Sequence, residues 1–261
     1  MSKEEIQANF KSLREALDNC DGIFVMVDAR DPQAFHCPWI VEEMKARKLP
    51  RLSAMVKVDL VPRVSAKNWV ASLDPGLWTV GADLTKPEAA GAIVKKLIRD
   101  YGEGAKRMVC IGAPGTGKTT LCKIVGAPLI DTPGWLWPKN NISLALTGAY
   151  PWRGTNQSLA LAFLSRVENG GFATLGITPE LMLEAYAKKN GVAYEEAGNH
   201  LVARLRSYDL KWCAFSPIPK DDSFLWKRQW RVLLESCHHI TEGWIRITPG
   251  EGVEKDEEIL Q

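Results

Sequence analysis

The chain lacks most of the features that betray a function at a glance. Its six cysteines (Cys20, Cys37, Cys110, Cys122, Cys213 and Cys237) form no C-x-x-C pair, which argues against a zinc site and against a disulfide framework. Histidine is scarce, with four in 261 residues. His238-His239 beside Cys237 has no second ligand cluster near it in sequence, so surface imidazoles describe it better than metal ligands. No apolar run is long enough to cross a bilayer, and the charged start Met1-Ser2-Lys3-Glu4-Glu5 is unlike a secretory signal. The expected location is the cytoplasm, or an organelle matrix after processing, so the N-x-S triplets at Asn141 and Asn156 are expected to be chance. Net charge is only +2. Bulk charge therefore does not mark a nucleic-acid binder, and any such signal must be local. No internal repeat is visible.

What is present is an ordinary globular composition, 46% hydrophobic and 25% charged, with a strong alternation of elements. Residues 3–18 place Ile6, Phe10, Leu13 and Leu17 at helical spacing. Gly22–Val27 is a continuous apolar run ending at Asp28, as suits a strand buried on both faces of a parallel sheet. Helices are expected over 39–47, 65–73 and 87–100. Strands are expected over 52–56, 77–80, 107–111 and 128–131. That order predicts an α/β fold with a mainly parallel sheet and helices on both faces. Beyond about residue 140 the pattern becomes helical (155–168, 178–189, 193–208, 222–238), with Thr178-Pro179-Glu180 as a start signal. Three regions are expected: 1–140 as the α/β core, 141–250 as an all-α domain, and 251–261 as an acidic, disordered tail.

The segment Gly112-Ala113-Pro114-Gly115-Thr116-Gly117-Lys118-Thr119 fits G-x-x-x-x-G-K-[ST], the loop that wraps nucleotide phosphates. A strand precedes it and a helix opens from it. Its glycines let backbone N–H groups turn inward, and the helix start adds favourable potential for anions. Pro114 to Thr120 are the expected phosphate contacts, with Lys118 on the β- and γ-phosphates and Thr119 facing Mg²⁺. Thirteen residues after Lys118 comes Asp131-Thr132-Pro133-Gly134, where Asp131 can hold the Mg²⁺ shell and Gly134 can offer its N–H to the γ-phosphate. Without the loop, the same four residues would read as a plain strand-to-turn Asp and a Pro-Gly turn.

Upstream, Val56-Lys57-Val58-Asp59 ends a strand and is similar to the N-K-x-D element that reads guanine. A carboxylate at Asp59 can accept from guanine N1–H and the exocyclic amine, a donor pair that adenine lacks. The Lys57 stem would lie along the base plane. Gly81 and Ala82 end the next strand, where a backbone loop would meet guanine O6. The base-reading strand here precedes the phosphate loop, whereas in most GTPases it follows. Such a permutation keeps strand neighbours and changes only their links. The chain also leaves the core shortly after Asp131–Gly134, which ties the next domain to the γ-phosphate-sensing segment.

This arrangement resembles the circularly permuted GTPases, most closely the YlqF/RbgA ribosome-assembly family, over most of residues 10–215. The marks are Val27-Asp28-Ala29-Arg30-Asp31-Pro32, Val56–Leu60, the phosphate loop, Asp131-Thr132-Pro133-Gly134-Trp135-Leu136-Trp137-Pro138-Lys139, and Leu144-Ala145-Leu146-Thr147-Gly148-Ala149. The resemblance implies GTP or GDP with Mg²⁺ as ligands, a helical C-terminal domain, and the rRNA and proteins of the large ribosomal subunit as partners. Three departures stand out. Val56 replaces the family's Asn. Only Leu121–Ile130 separates the loop from Asp131, with no candidate for the threonine that closes on Mg²⁺. Asn9-Phe10-Lys11-Ser12 stands where the family has P-G-H-M, and no Gln follows Gly134. Each loss touches hydrolysis more than binding, so the expected GTP hydrolysis is slow or partner-dependent, and no catalytic residue is assigned.

Between 203 and 231 basic and aromatic residues interleave. Arg204, Arg206, Lys227, Arg228 and Arg231 are the candidate RNA contacts; the competing reading makes the aromatics, Trp212 among them, helix core and the basic residues a solvated face. Two other readings of the whole chain stay open: a non-hydrolysing scaffold derived from a GTPase, and an ATP-dependent P-loop enzyme.

Overall fold

Seven successive residues of the first strand, Gly22–Asp28, are all buried, as a central strand covered on both faces requires. The computed structural model describes residues 3–74, 76–134, 141–167, 178–214 and 244–250. The expected helix at 222–238, the tail 251–261 and the segment 135–140 lie outside them. The chain divides into two compact units, which meet in sequence at Lys139 and Asn140.

The first unit runs α1 (Lys3–Asp18), β1 (Gly22–Asp28), α2 (Pro32–Phe35), α3 (Pro38–Ala46), β2 (Arg51–Val56), α4 (Arg63–Ser72), β3 (Trp78–Ala82), α5 (Pro87–Tyr101), β4 (Met108–Gly112), α6 (Lys118–Val125) and β5 (Leu129–Asp131). A single 3-10 turn, Val58–Leu60, follows β2. The strands pair in the order β3-β2-β1-β4-β5, all in parallel. Chain order runs outward from β1 to β3 and then returns to the other side of β1, so the reversal falls between β1 and β4. In open α/β sheets the crevice at such a reversal, at the carboxyl ends of the strands, is where ligands bind.

Period-two alternation assigns each strand residue to a face. Phe24, Met26, Leu52, Ala54, Val56, Met108 and Cys110 form one core cluster with Ala90, Val94 and Leu97 of α5 and Leu121 and Val125 of α6. Burying each large side chain there contributes about 1.5–3 kcal/mol. Gly91 lets the two helices approach closely: a Cβ on it would stand 2.9 Å from Ile124 Cγ2. On the opposite face Ile23, Val25, Val27, Val109 and Ile111 are equally buried.

The second unit carries α7 (Ile142–Leu146), α8 (Asn156–Arg166), α9 (Pro179–Asn190), α10 (Tyr194–Arg206), β6 (Lys211–Ala214) and β7 (Trp244–Ile247). The first three of these helices begin at side-chain caps. Asn141 accepts from Ser143 and Leu144 N–H, Thr155 from Ser158, and Thr178 from Leu181. Gly191, left-handed at φ 65°, ends α9. Among its described residues this unit has helices and also a short parallel ladder of β6 with β7, which corrects the expected all-α domain. Four-residue strands separated by a long stretch of chain leave little periodic signal.

Candidate functional site

The phosphate loop lies at the carboxyl end of β4, beside the sheet's reversal. Gly115 and Gly117 adopt φ of 72° and 88°, and Gly117 is the N-cap of α6. Those left-handed angles are the physical reason for glycine at both positions. Thr116 Oγ1 donates to Ala113 O at 2.8 Å and closes the turn from within. The ammonium of Lys118 is buried in the loop and donates to Ala113 O at 3.0 Å. Burial lowers its pKa, with Cys110, Asp131 and Cys122 opposing that shift. Thr120 lies on the exposed side of the helix start.

Asp131 ends β5, where its backbone pairs with Cys110 of β4. Its Oδ2 accepts from Thr119 Oγ1 at 2.6 Å. Past the end of that ladder, Thr132 Oγ1 donates to Cys110 O at 2.6 Å and keeps the outgoing chain on β4. Gly134 then packs on the loop itself: a Cβ there would sit 2.9 Å from Pro114 Cα. Three of the four residues of this segment therefore divide the work. Asp131 faces the helix start, Thr132 is a tether, and Gly134 is the close approach. Asp131 to Pro133 also border a cavity of about 370 Å³ under α1, with Ser12, Glu15 and Asn19 among its lining.

The residues expected to read a base come to the same end of the sheet. Lys57 is left-handed at φ 58°, a conformation that costs an L-residue about 1–2 kcal/mol. Its Nζ stands 3.1 Å from Asp28 Oδ2. Asp59 is exposed on the 3-10 turn, and Gly81 lies beneath that turn, with Val58 Cγ1 3.5 Å from where a Cβ would be. Ala82 is fully buried. The loop after β3 reaches the phosphate loop through Leu84, whose Cδ1 would stand 2.7 Å from a Cβ on Gly117. Val56 is fully buried in the same core cluster that Leu84 packs against. The link that an Asn side chain would make by hydrogen bonding is thus replaced by apolar packing.

Asp28, Arg30 and Leu84 carry no role that a motif assigns, although the first two lie in one of the segments that mark the family resemblance. Asp28 is completely buried, and it accepts from Arg30 Nε at 2.9 Å, Arg30 Nη2 at 2.6 Å and Arg30 N at 3.0 Å. Burial pushes its carboxyl up, yet the Arg30 and Lys57 cations outweigh that and hold it below the usual carboxylate range. An Asp closing an apolar strand with Arg two residues on was the available clue.

Of the RNA candidates, Arg204 donates to Asn190 Oδ1 at 3.0 Å and Arg206 to Ala145 O at 3.3 Å, both from the last turn of α10. Lys227, Arg228 and Arg231 lie outside the described residues. Trp212 is core, 1% exposed and edge-on to Phe163, which decides that residue for the packing reading. Among the described residues no cluster of three His, Cys, Asp or Glu could hold a metal unaided. Thr119 and Asp131 do fit Mg²⁺ as a pair of hard oxygen donors, since Mg²⁺ ordinarily takes one or two carboxylates plus phosphate and water oxygens. No described helix is long and apolar enough to cross a membrane.

An all-parallel sheet with a G-K-T loop at its reversal, and the base-reading strand upstream of that loop, defines a P-loop GTPase-like fold in permuted order. Known proteins agree. The chain is 22% identical over 229 residues to an uncharacterized GTP-binding protein of Methanocaldococcus jannaschii, covering 76% of this chain and 58% of that one. It is 27% identical over 183 residues to ribosome biogenesis GTPase A of Priestia megaterium, covering 53% and 63%. It is 30% identical over 118 residues to nucleolar GTP-binding protein 2 of Cryptococcus neoformans var. grubii, covering 42% and 17%. In each case less than two thirds of the relative's own length is spanned. No protein-family model matches the chain. All three relatives are named as GTP-binding proteins or GTPases, one of them for ribosome biogenesis.

Proposed function

We propose that this protein binds GTP or GDP with Mg²⁺ and assists assembly of the large ribosomal subunit, with slow or partner-dependent GTP hydrolysis. The observation that carries the nucleotide reading is the convergence of two loops on one sheet end. Lys118, Thr119 and Asp131 gather around the helix start, Leu84 brings the loop after Gly81–Ala82 against Gly117, and Val58 of the Lys57–Asp59 turn lies over Gly81. Asp59 keeps its carboxylate in solvent, ready for the guanine donor pair. Lys118, Thr119 and the inward-facing loop amides take the phosphates; bound Mg²⁺ neutralises charge on them, with Thr119 and Asp131 as its protein-side oxygens.

Hydrolysis needs a group that orients water, and the described site offers none. The residues after Asp131 are Thr132, Pro133 and Gly134, and His36 is taken by Asp74 at 3.1 Å. A partner that supplies the missing group fits this inventory. The printed names of the relatives, a ribosome biogenesis GTPase and a nucleolar GTP-binding protein, support large-subunit rRNA and proteins as that partner. Arg204 and Arg206, with Lys227, Arg228 and Arg231, are the proposed RNA contacts, and the cytoplasm is the proposed location.

The test is titration with labelled GTP and ATP in Mg²⁺ beside Lys118→Ala. Expected are a clear GTP preference and a loss of about 100-fold in the variant, the scale of two charge-assisted hydrogen bonds. Equal affinity for ATP would favour a P-loop enzyme of another kind. No binding of either nucleotide would leave a GTPase-derived scaffold.

A further inference from the structure

Asp28 has more partners than a structural core needs. Arg30 alone satisfies it, with a bidentate guanidinium and a backbone N–H. A fourth donor arrives from another strand, the Nζ of Lys57 at 3.1 Å. The two strand ends are already in register, Asp28 opposite Val56, and Ala29 N donates to Val56 O at 2.9 Å. Lys57 reaches Asp28 only because its own backbone turns left-handed immediately after β2. A strained backbone kept at one residue of a binding loop is a sign of function more often than of packing. Removing ions from water is costly, and buried ion pairs are weak contributors to stability. This one is therefore better explained by what it orients.

We infer that Asp28 is a positioning residue for guanine recognition, pinning the Lys57 ammonium so that the lysine stem lies ready beside Asp59 before a base arrives. This rests on the guanine-binding reading above. The head of Lys57 is fixed while 26% of its side chain stays exposed, and Asp59 stands two residues on, in solvent. A long flexible side chain that is ordered in advance loses little freedom on binding. Val56 offers no polar side chain to hold the loop, and Asp28 supplies a polar restraint from the neighbouring strand.

The experiment is equilibrium titration of the full chain with Mg²⁺-GTP, Mg²⁺-ATP and inorganic tripolyphosphate, using wild type, Asp28→Asn, Lys57→Met and the double variant. Expected is at least a tenfold loss of GTP affinity in either single variant, with tripolyphosphate binding unchanged. The double variant should be no weaker than Lys57→Met, since both changes cut one link. A purely structural Asp28 would weaken all three ligands alike, or its loss would multiply with that of Lys57, and either result overturns the inference. So does a wild-type GTP-to-ATP ratio in Asp28→Asn. Should that variant not fold, Lys57→Met decides alone, because Arg30 keeps Asp28 paired in it; an unaltered ratio there overturns the inference. A wild type without GTP preference is a different failure, visible before any variant is made, and it removes the guanine reading together with this one.

Discussion

The two halves of the site are held together by different forces. The phosphate half is polar and local: Thr116, Lys118, Thr119 and Thr132 each close a hydrogen bond of 2.6 to 3.0 Å within β4, β5 and the loop. The base half is apolar and long-range, with Leu84 against Gly117, Val56 in the core, and one buried charge cluster at Asp28. Phosphate recognition tolerates little variation because each donor must meet a fixed oxygen. A base-reading loop needs only to be held in place, and packing serves that purpose as well as an amide does. Val56, which stands where the N-K-x-D pattern has Asn, lies in the half where the physics is forgiving.

The contact between the halves is the point at which the comparison breaks most easily. Gly117→Val puts a branched side chain at φ 88° and against Leu84. Strain and collision of a few kcal/mol should lower nucleotide affinity by about 100-fold, for GTP and tripolyphosphate alike. A titration in which only GTP suffered would show that the halves are independent. Thr119→Ala touches the phosphate half alone. Loss of one hydrogen bond in a charged setting is worth about tenfold. The effect should be present in Mg²⁺ and absent in EDTA; an equal loss in EDTA would mean that Thr119 acts only through its bond to Asp131.

This division also explains what could be read in advance. Ten of the eleven helices and strands of the first unit were legible from runs such as Gly22–Val27 and from the strand-loop-helix punctuation around Gly112–Thr119, because burial and backbone angle impose residue types locally. Only the four-residue α2 went unseen. The loop's partners Asp131 and Gly134 were legible for the same reason. Leu84 and Asp28 were not. Their roles exist only after β1, β2 and the β3–α5 loop are brought to one end of the sheet, and a Leu after Ala82-Asp83 or an Asp after Val27 is compatible with many environments. Trp212 shows the reverse: its composition allowed base stacking, and only the fold around Phe163 places it in the core.

Restoring the Asn of the N-K-x-D pattern sharpens the contrast. Val56 is completely buried on a strand whose neighbours on that face are Leu52 and Ala54. Val56→Asn inserts an amide into that core, at a cost of about 1–3 kcal/mol if it finds no partner. At roughly 2–4 °C per kcal/mol for a chain of this size, thermal melting should fall by several degrees without a gain in GTP affinity. A gain in affinity would instead mean that the amide reaches the phosphate loop and that the apolar link is a replaceable substitute.

The smallest expected effect lies in the protons taken up on binding, and it isolates the phosphate half. Burial lowers the pKa of Lys118, whereas phosphate oxygens would raise it again. In the window just below the ordinary lysine value of about 10.4, the ligand-free folded state then holds fewer protons than either the unfolded or the liganded state. Stability of the ligand-free protein should therefore rise with pH through that window, and nucleotide binding should take up a fraction of a proton there. The uptake should shrink as pH falls below that window. Calorimetric titration in buffers of differing ionisation enthalpy reads the difference, and Lys118→Met should abolish the alkaline component. An alkaline uptake that persisted in Lys118→Met would assign the proton to another group, and would mean that the lysine meets its phosphates already desolvated at no cost to its charge.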